Sequence, residues 1–327
     1  SINSGQIGGR RNIVINGEMK VAQRSASVAG LGAASGYYTL DRWNMAAGST
    51  AGRYTMAQVA DGPAGIANCL KLSTTTADTS IAAGEYLILQ TKIEGQDLQQ
   101  LKKGTASAEQ FTISFWVKGN AAALYVCEVY DNDNARNIHQ SFAVTTAWNR
   151  IELTFAADTS GLLDDDTAAS FTISIWLHAG STYTGGTFAV NTWNDNTNAN
   201  RYAVADRTSI FDSTDRTFFI TGVQMELGAT ATAFESRSYG EELTLCQRYY
   251  QEFGNVNGAI KGTTTNSRIV YNMLSPRMRA TPSVTVNWTS GTTATASISI
   301  NGFKSVTTLA NTTTLADQTS AQADAEL

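Results

Sequence analysis

The chain has 327 residues, of which 42% are hydrophobic and only 16% charged, and 23 Lys and Arg against 28 Asp and Glu leave a net charge of −5. That length accommodates two domains and the apolar fraction excludes wholesale disorder, while a weakly acidic balance without a basic block argues against a sequence-independent grip on nucleic acid. No apolar run nears the roughly 18 residues of a spanning helix, and Ser1–Arg24 lacks a signal-type apolar core, so neither membrane insertion nor ordinary export is expected.

In chain order, Ile13–Ile15 reads as a first strand and Leu87–Ile93 as a later one. Phe111–Lys118 alternates strictly, so Phe111, Ile113, Phe115 and Val117 share one strand face and Trp116 lies on the other. Leu124–Tyr130 and Ile151–Phe155 follow. Phe171–His178 repeats the pattern, with Phe171, Ile173, Ile175 and Leu177 inward and Trp176 opposite. Two strands of one sandwich explain this similarity as well as a duplication would, and more simply. In Phe218–Leu227, Val223, Met225 and Leu227 alternate with Gln224 and Glu226, which could pair across the sheet. Polar clusters at Asp131–Asn134 and Asn194–Asn198 read as loops. Many short strands with long polar connections predict an all-β chain, with a jelly-roll β-sandwich over residues 13–237.

Ser238 and Glu241 have capping-box spacing, and Leu243, Cys246, Tyr249 and Phe253 recur at helical intervals. They predict one short connecting helix over Glu241–Phe253, within residues 238–254. Strand-like runs at Ser267–Leu274, Ser283–Trp288 and Ala296–Ile300 then predict a small β domain over 255–327. The polar stretch Ala310–Leu327 would fray alone. A neighbouring subunit or ordinary packing could order it.

The catalytic vocabulary is poor. Three scattered cysteines and two histidines offer no disulfide framework, and no HExxH, CxxC or glycine-rich phosphate loop occurs. Nothing nominates a nucleophile or a tuned base, so no enzyme and no cofactor are expected. Asp131 and Asp133, with Asn132 and Asn134, offer oxygen ligands suited to Ca2+. The EF-hand glycine and closing glutamate are missing, however, and solvated turns are the favoured reading there and at Asp164–Asp166. Asp41-Arg42-Trp43 reads as a lock for a loop on a sandwich edge. Trp116 and Trp176 are candidates for glycan or subunit contact. Burial under a second layer or a subunit is favoured over stacking on a sugar ring.

Four stretches together resemble the jelly-roll fibre and appendage proteins of tailed bacteriophages. They are Asn12–Gly17 with Gln23-Arg24; Tyr38–Trp43; Phe111–Gly119 with Ala147–Arg150; and Phe219–Gly228 with Ala233–Glu235, Glu242-Leu243 and Cys246–Tyr250. Met278–Pro282 is similar to the small C-terminal β module of such proteins. The resemblance implies a non-catalytic structural protein of the virion, assembled in the host cytoplasm and oligomeric, usually trimeric. Its expected partners are other copies of itself, other virion proteins and a host surface glycan. Only about a dozen residues precede Asn12, so a short tail fibre or similar appendage is expected, with residues 1–12 as its virion-attachment segment and Arg10 and Arg11 as contacts. A capsid decoration or head-fibre protein without a receptor role is the alternative.

Overall fold

The structure is a computed structural model that describes residues 11–254, 260–261, 267–288, 292–308 and 318–327. Arg10 lies outside them. The chain divides into two compact units at Arg237–Ser238.

The first unit begins with β1 (Ser27–Leu31), β2 (Asn44–Gly48), β3 (Arg53–Val59), β4 (Cys69–Thr76), β5 (Tyr86–Glu94) and β6 (Phe111–Gly119). It continues with β7 (Ala123–Asp131), β8 (Arg136–Val144), β9 (Asn149–Phe155), β10 (Ala169–Ala179), the one-turn α1 (Ser181–Thr184), β11 (Asn194–Asp195) and β12 (Thr217–Leu227). Two six-stranded sheets result, ordered β1-β3-β4-β12-β6-β9 and β11-β8-β7-β10-β5-β2, and every pairing is antiparallel. This is the expected all-β sandwich of jelly-roll type. The alternation read from β6 and β10 puts Phe111, Ile113, Phe115, Phe171, Ile173 and Ile175 in one core. Phe111 stacks on Phe155 at 5.3 Å within its own sheet and meets Phe171 of the opposite sheet at 6.0 Å, the offset contact that aromatic quadrupoles favour.

Ile13–Ile15 is not a strand; a turn begins at Ile15. The segment meets β12 through Ile13 N, which donates to Met225 O at 3.0 Å, and through the Asn12 amide, which donates to Val223 O at 3.1 Å and accepts from Val14 N and Met225 N. Gly17 then passes β12 so closely that a Cβ would lie 2.1 Å from Val223 O. The Asn16 amide donates to Asp41 O, and Trp43 Nε1 donates back to Asn16 O. Asp41, Arg42 and Trp43 are buried, so this motif does lock a loop. Gln224 and Glu226 pair with each other at 2.7 Å, and with Glu235 N and Thr232 respectively, rather than across the sheet.

In the second unit, α2 (Tyr239–Gln247) starts at the expected capping box, Ser238 with Glu241. It ends sooner than periodicity predicts, because Tyr250–Phe253 becomes β13 and pairs antiparallel with residues at the end of the chain. The remaining strands are β14 (Ile260–Lys261), β15 (Ser267–Met273), β16 (Ser283–Trp288), β17 (Thr292–Ser299), β18 (Gly302–Thr308) and β19 (Gln318–Asp324). They form sheets ordered β13-β19-β16 and β14-β15-β18-β17. The expected strand at Ala296–Ile300 belongs to β17, which begins at Thr292 and stops before Ile300 in the turn.

The polar end of the chain is a centre strand. Gln318 is buried and exchanges amide hydrogen bonds with Asn272, at 3.2 and 3.3 Å, while Ser305 Oγ donates to it at 3.0 Å. Residues 318–327 are thus paired within the unit. Residues 310–317 of the same stretch lie outside the described residues.

Candidate functional site

The second sheet of the sandwich turns one face to the core and carries a cleft on the other. On β5, Leu87 and Leu89 are buried inward, and strand alternation sends Tyr86, Ile88 and Gln90 the opposite way. Register aligns Ala46, Ile88, Trp176 and Val126 in one row and Asn44, Gln90, Ser174, Glu128 and His139 in the next. The chain after β10 brings Tyr183 of α1, Asn198 and Arg201 to the same cleft, which holds about 250 Å3 between Ala46, Tyr86, Ile88, Gln90, Trp176 and these three.

Aromatic rings make one wall. Tyr86 and Tyr183 meet edge to face at 5.4 Å, and Trp176 lies 5.4 Å from Tyr183 and 6.5 Å from Tyr86. Gly48 permits this placement, because a Cβ there would lie 2.3 Å from the Tyr86 ring. Polar groups make the rest. Gln90 Nε2 donates to Ser174 Oγ at 3.1 Å, and the exposed Asn198 adds a second carboxamide. Arg201 lies over Trp176 at 4.8 Å and Tyr130 at 5.4 Å, while Nε donates to both oxygens of buried Glu128 at 3.1 and 3.0 Å. Burial works against the guanidinium's charge, yet Glu128 lifts its pKa above the ordinary arginine value. The cleft thus combines ring faces with a fixed cation and two amides, an arrangement that can cover an apolar ring face and hydrogen-bond its substituents.

Trp176 reaches this site as a covered floor. It is fully buried under Tyr183, Tyr202 and Arg201, and its Nε1 has no hydrogen-bond partner among the described residues. Trp116 stands in the other sheet, half-buried beside Gly222, where a Cβ would lie 3.0 Å from its ring. The structure therefore does not bring the two tryptophans together. Arg11 contributes its backbone N–H to Glu235 Oε2 at 2.8 Å.

Asp131 already has a cation. Lys103 Nζ lies 2.6 Å from Asp131 Oδ2 and 3.1 Å from Asp158 Oδ2, all three side chains being buried. Asp131 Oδ1 takes the backbone N–H groups of Asp133 and Asn134, and Asp133 Oδ2 accepts from Asp164 N. These are the contacts of a braced turn, with an ammonium where a metal would have to sit.

Tyr86, Gln90, Tyr183, Asn198 and Arg201 escape sequence reading because two distant segments supply them and no fixed spacing joins them. The one local signal was the outward position of Trp176.

No family model matches this chain, and no curated protein matches it. Among solved structures it is similar to a family 4 carbohydrate-binding module, at 13% identity and a TM-score of 0.30 over 56% of this chain and 86% of that one. It is also similar to the family 11 carbohydrate-binding module of Clostridium thermocellum in complex with a β-1,3-1,4-mixed-linked tetrasaccharide, at 14% identity and 0.30 over 58% and 91%. A third is the enzymatically active domain of tailspike protein 4 of bacteriophage CBA120, at 13% and 0.34 over 66% of this chain but only 21% of that one. At these scores the functional reading rests on this chain's own residues.

Proposed function

We propose that this chain is a non-catalytic appendage protein of a bacteriophage virion, and that its jelly roll binds a surface glycan in the cleft between β5, β10 and the Tyr183–Arg201 segment. The observation that carries the glycan reading is the pairing of Tyr86 and Tyr183 with Gln90, Asn198 and Arg201 around one open cleft. Stacking covers the C–H face of a pyranose, and planar amide and guanidinium groups match its hydroxyls. The virion reading is supported by the four-part sequence resemblance, which carries with it the expectation of a trimer. Weak single-site contact multiplied over copies is then sufficient for attachment.

The test is glycan-array binding followed by calorimetry on the best polysaccharide, with Tyr183→Ala and Asn198→Ala. Tyr183 and Asn198 stand at the rim, so both variants should fold and each should weaken binding about tenfold, the scale of one lost aromatic contact or hydrogen bond. Unchanged affinity in both would remove the cleft from consideration. Light scattering should give three times the chain mass, and a monomer at micromolar concentration would refute the trimer.

A further inference from the structure

Asp78, Glu85 and His178 come together near the end of β10, and none of them is among the residues that line the cleft. Asp78 follows β4, Glu85 precedes β5 and His178 lies near the end of β10. One ligand atom from each lies within 4.8 Å of the others. All three are buried, the acids at 5% exposure each and the histidine at 0%.

Two carboxylates in such a place need compensation, because a buried unpaired anion costs several kcal/mol or more. No Lys or Arg supplies it: among the described residues, the one ion-pair partner of either acid is His178, whose Nε2 lies 3.3 Å from Glu85 Oε2. A proton shared within the cluster or a metal cation would balance these carboxylates.

The surroundings orient the His178 and Asp78 side chains as metal ligands are oriented, and they fix the Glu85 backbone. His178 Nδ1 is 2.8 Å from Ser209 Oγ, which also accepts from Phe211 N. With the proton on Nδ1 and donated to Ser209, the Nε2 lone pair faces the acids, the usual outer-partner arrangement of a ligating histidine. Asp78 Oδ2 accepts from Thr50 Oγ1 at 3.1 Å, Ala51 N at 3.0 Å and Gly52 N at 3.3 Å. The Glu85 backbone is tied to both neighbours, its N–H donating to Ala82 O and its carbonyl accepting from Gly180 N. A cleft of about 330 Å3 is lined by Ala179 and Ser209, one the chain neighbour of His178 and the other its hydrogen-bond partner.

From this geometry we infer that Asp78, Glu85 and His178 form a binding site for a first-row divalent metal of the Zn2+ type. One imidazole and two carboxylates suit Zn2+, whereas Ca2+ prefers six to eight oxygens. The ion would tie the loop between β4 and β5 to the end of β10, which is a structural role.

The experiment uses the full-length chain, stripped with a chelator and dialysed. Adding Zn2+ should give one bound equivalent and a higher Tm, whereas Ca2+ at the same concentration should give neither. Co2+ substitution should produce d–d absorption with a nitrogen ligand visible by X-ray absorption. His178→Gln should lower Zn2+ affinity at least 100-fold, and Ser209→Ala by about 10- to 100-fold, the usual loss when an outer partner is removed. No binding of Zn2+ or Co2+ by the wild-type chain would overturn the inference, leaving a shared proton as the compensating charge. Equal binding by a folded His178→Gln variant would overturn it as well, and should that variant not fold, an all-oxygen Co2+ spectrum of the wild type would do the same.

Discussion

Lys103 shows what a single buried charge does for this sandwich. Its ammonium meets Asp131 and Asp158, accepts no substitute from solvent at 3% side-chain exposure, and donates to Ser160 O and Gly161 O. Lys103→Met would keep the stem's bulk and strand two buried carboxylates, of which only Asp158 retains a guanidinium, that of Arg136. Breaking one side of such a cluster costs about 3–5 kcal/mol, and urea unfolding should read that loss. His139 gives a second residue-scale prediction. It is buried, stacked on Phe188 at 4.4 Å, and neither ring nitrogen has a hydrogen-bond partner among the described residues. Burial depresses its pKa, with Arg201 adding to the effect and Glu128 opposing it. A depressed histidine binds its proton more readily in the unfolded chain, so its contribution to stability is full at neutral pH. That contribution is lost as pH falls below the unfolded value of about 6.5. Tm measured from pH 7.5 to 5.5 should fall for the wild type and fall less for His139→Phe; parallel curves would refute the assignment.

At the scale of elements, β19 is the strand on which the second unit depends. It lies between β13 and β16, supplies Ala321 and Ala323 to the core, and carries buried Gln318. Deleting Gln318–Leu327 removes a central strand and should abolish the dispersed amide signals of residues 238–308 while the first unit's signals persist. Sequence periodicity showed little of this strand, because its inward residues are alanines and its buried Gln318 is satisfied by Asn272 and Ser305 from other strands. The opposite holds for β6, β10 and β12, where large apolar residues alternate over nine to eleven positions and the sandwich could be read directly. Strands such as β3 and β4, with Tyr54, Met56, Leu70 and Leu72 inward but Thr, Ser and Lys between them, carried the same alternation in weaker form. The helix stripe misled at Phe253, where a partner strand from the far end of the chain overrode local spacing. Of the cleft, only Trp176 was legible; the Glu128–Arg201 pair joins residues with no sequence relation.

For the whole molecule, the cleft and its supports fall entirely within residues 11–237. Every lining residue belongs to the first unit, and so does the aromatic core from Phe111 to Phe218 beneath the sheets. The second unit closes a separate, smaller core around Leu274, Met278, Val286 and Phe303. Residues 11–237 expressed alone should therefore fold and bind the same polysaccharide fragment with the single-site affinity of the full chain, within about twofold. Binding to an intact glycan-bearing surface distinguishes the roles of the two units. If the second unit assembles the trimer, the isolated jelly roll is monomeric and loses the multivalent gain, on the order of 10²–10⁴ in apparent affinity. Surface plasmon resonance on immobilised polysaccharide, at low and high ligand density, would separate the two quantities. Equal density dependence for the truncated and full chains would place assembly in the jelly roll itself. A truncated chain that folds but has lost fragment binding would mean that the cleft described here is not where the glycan is held.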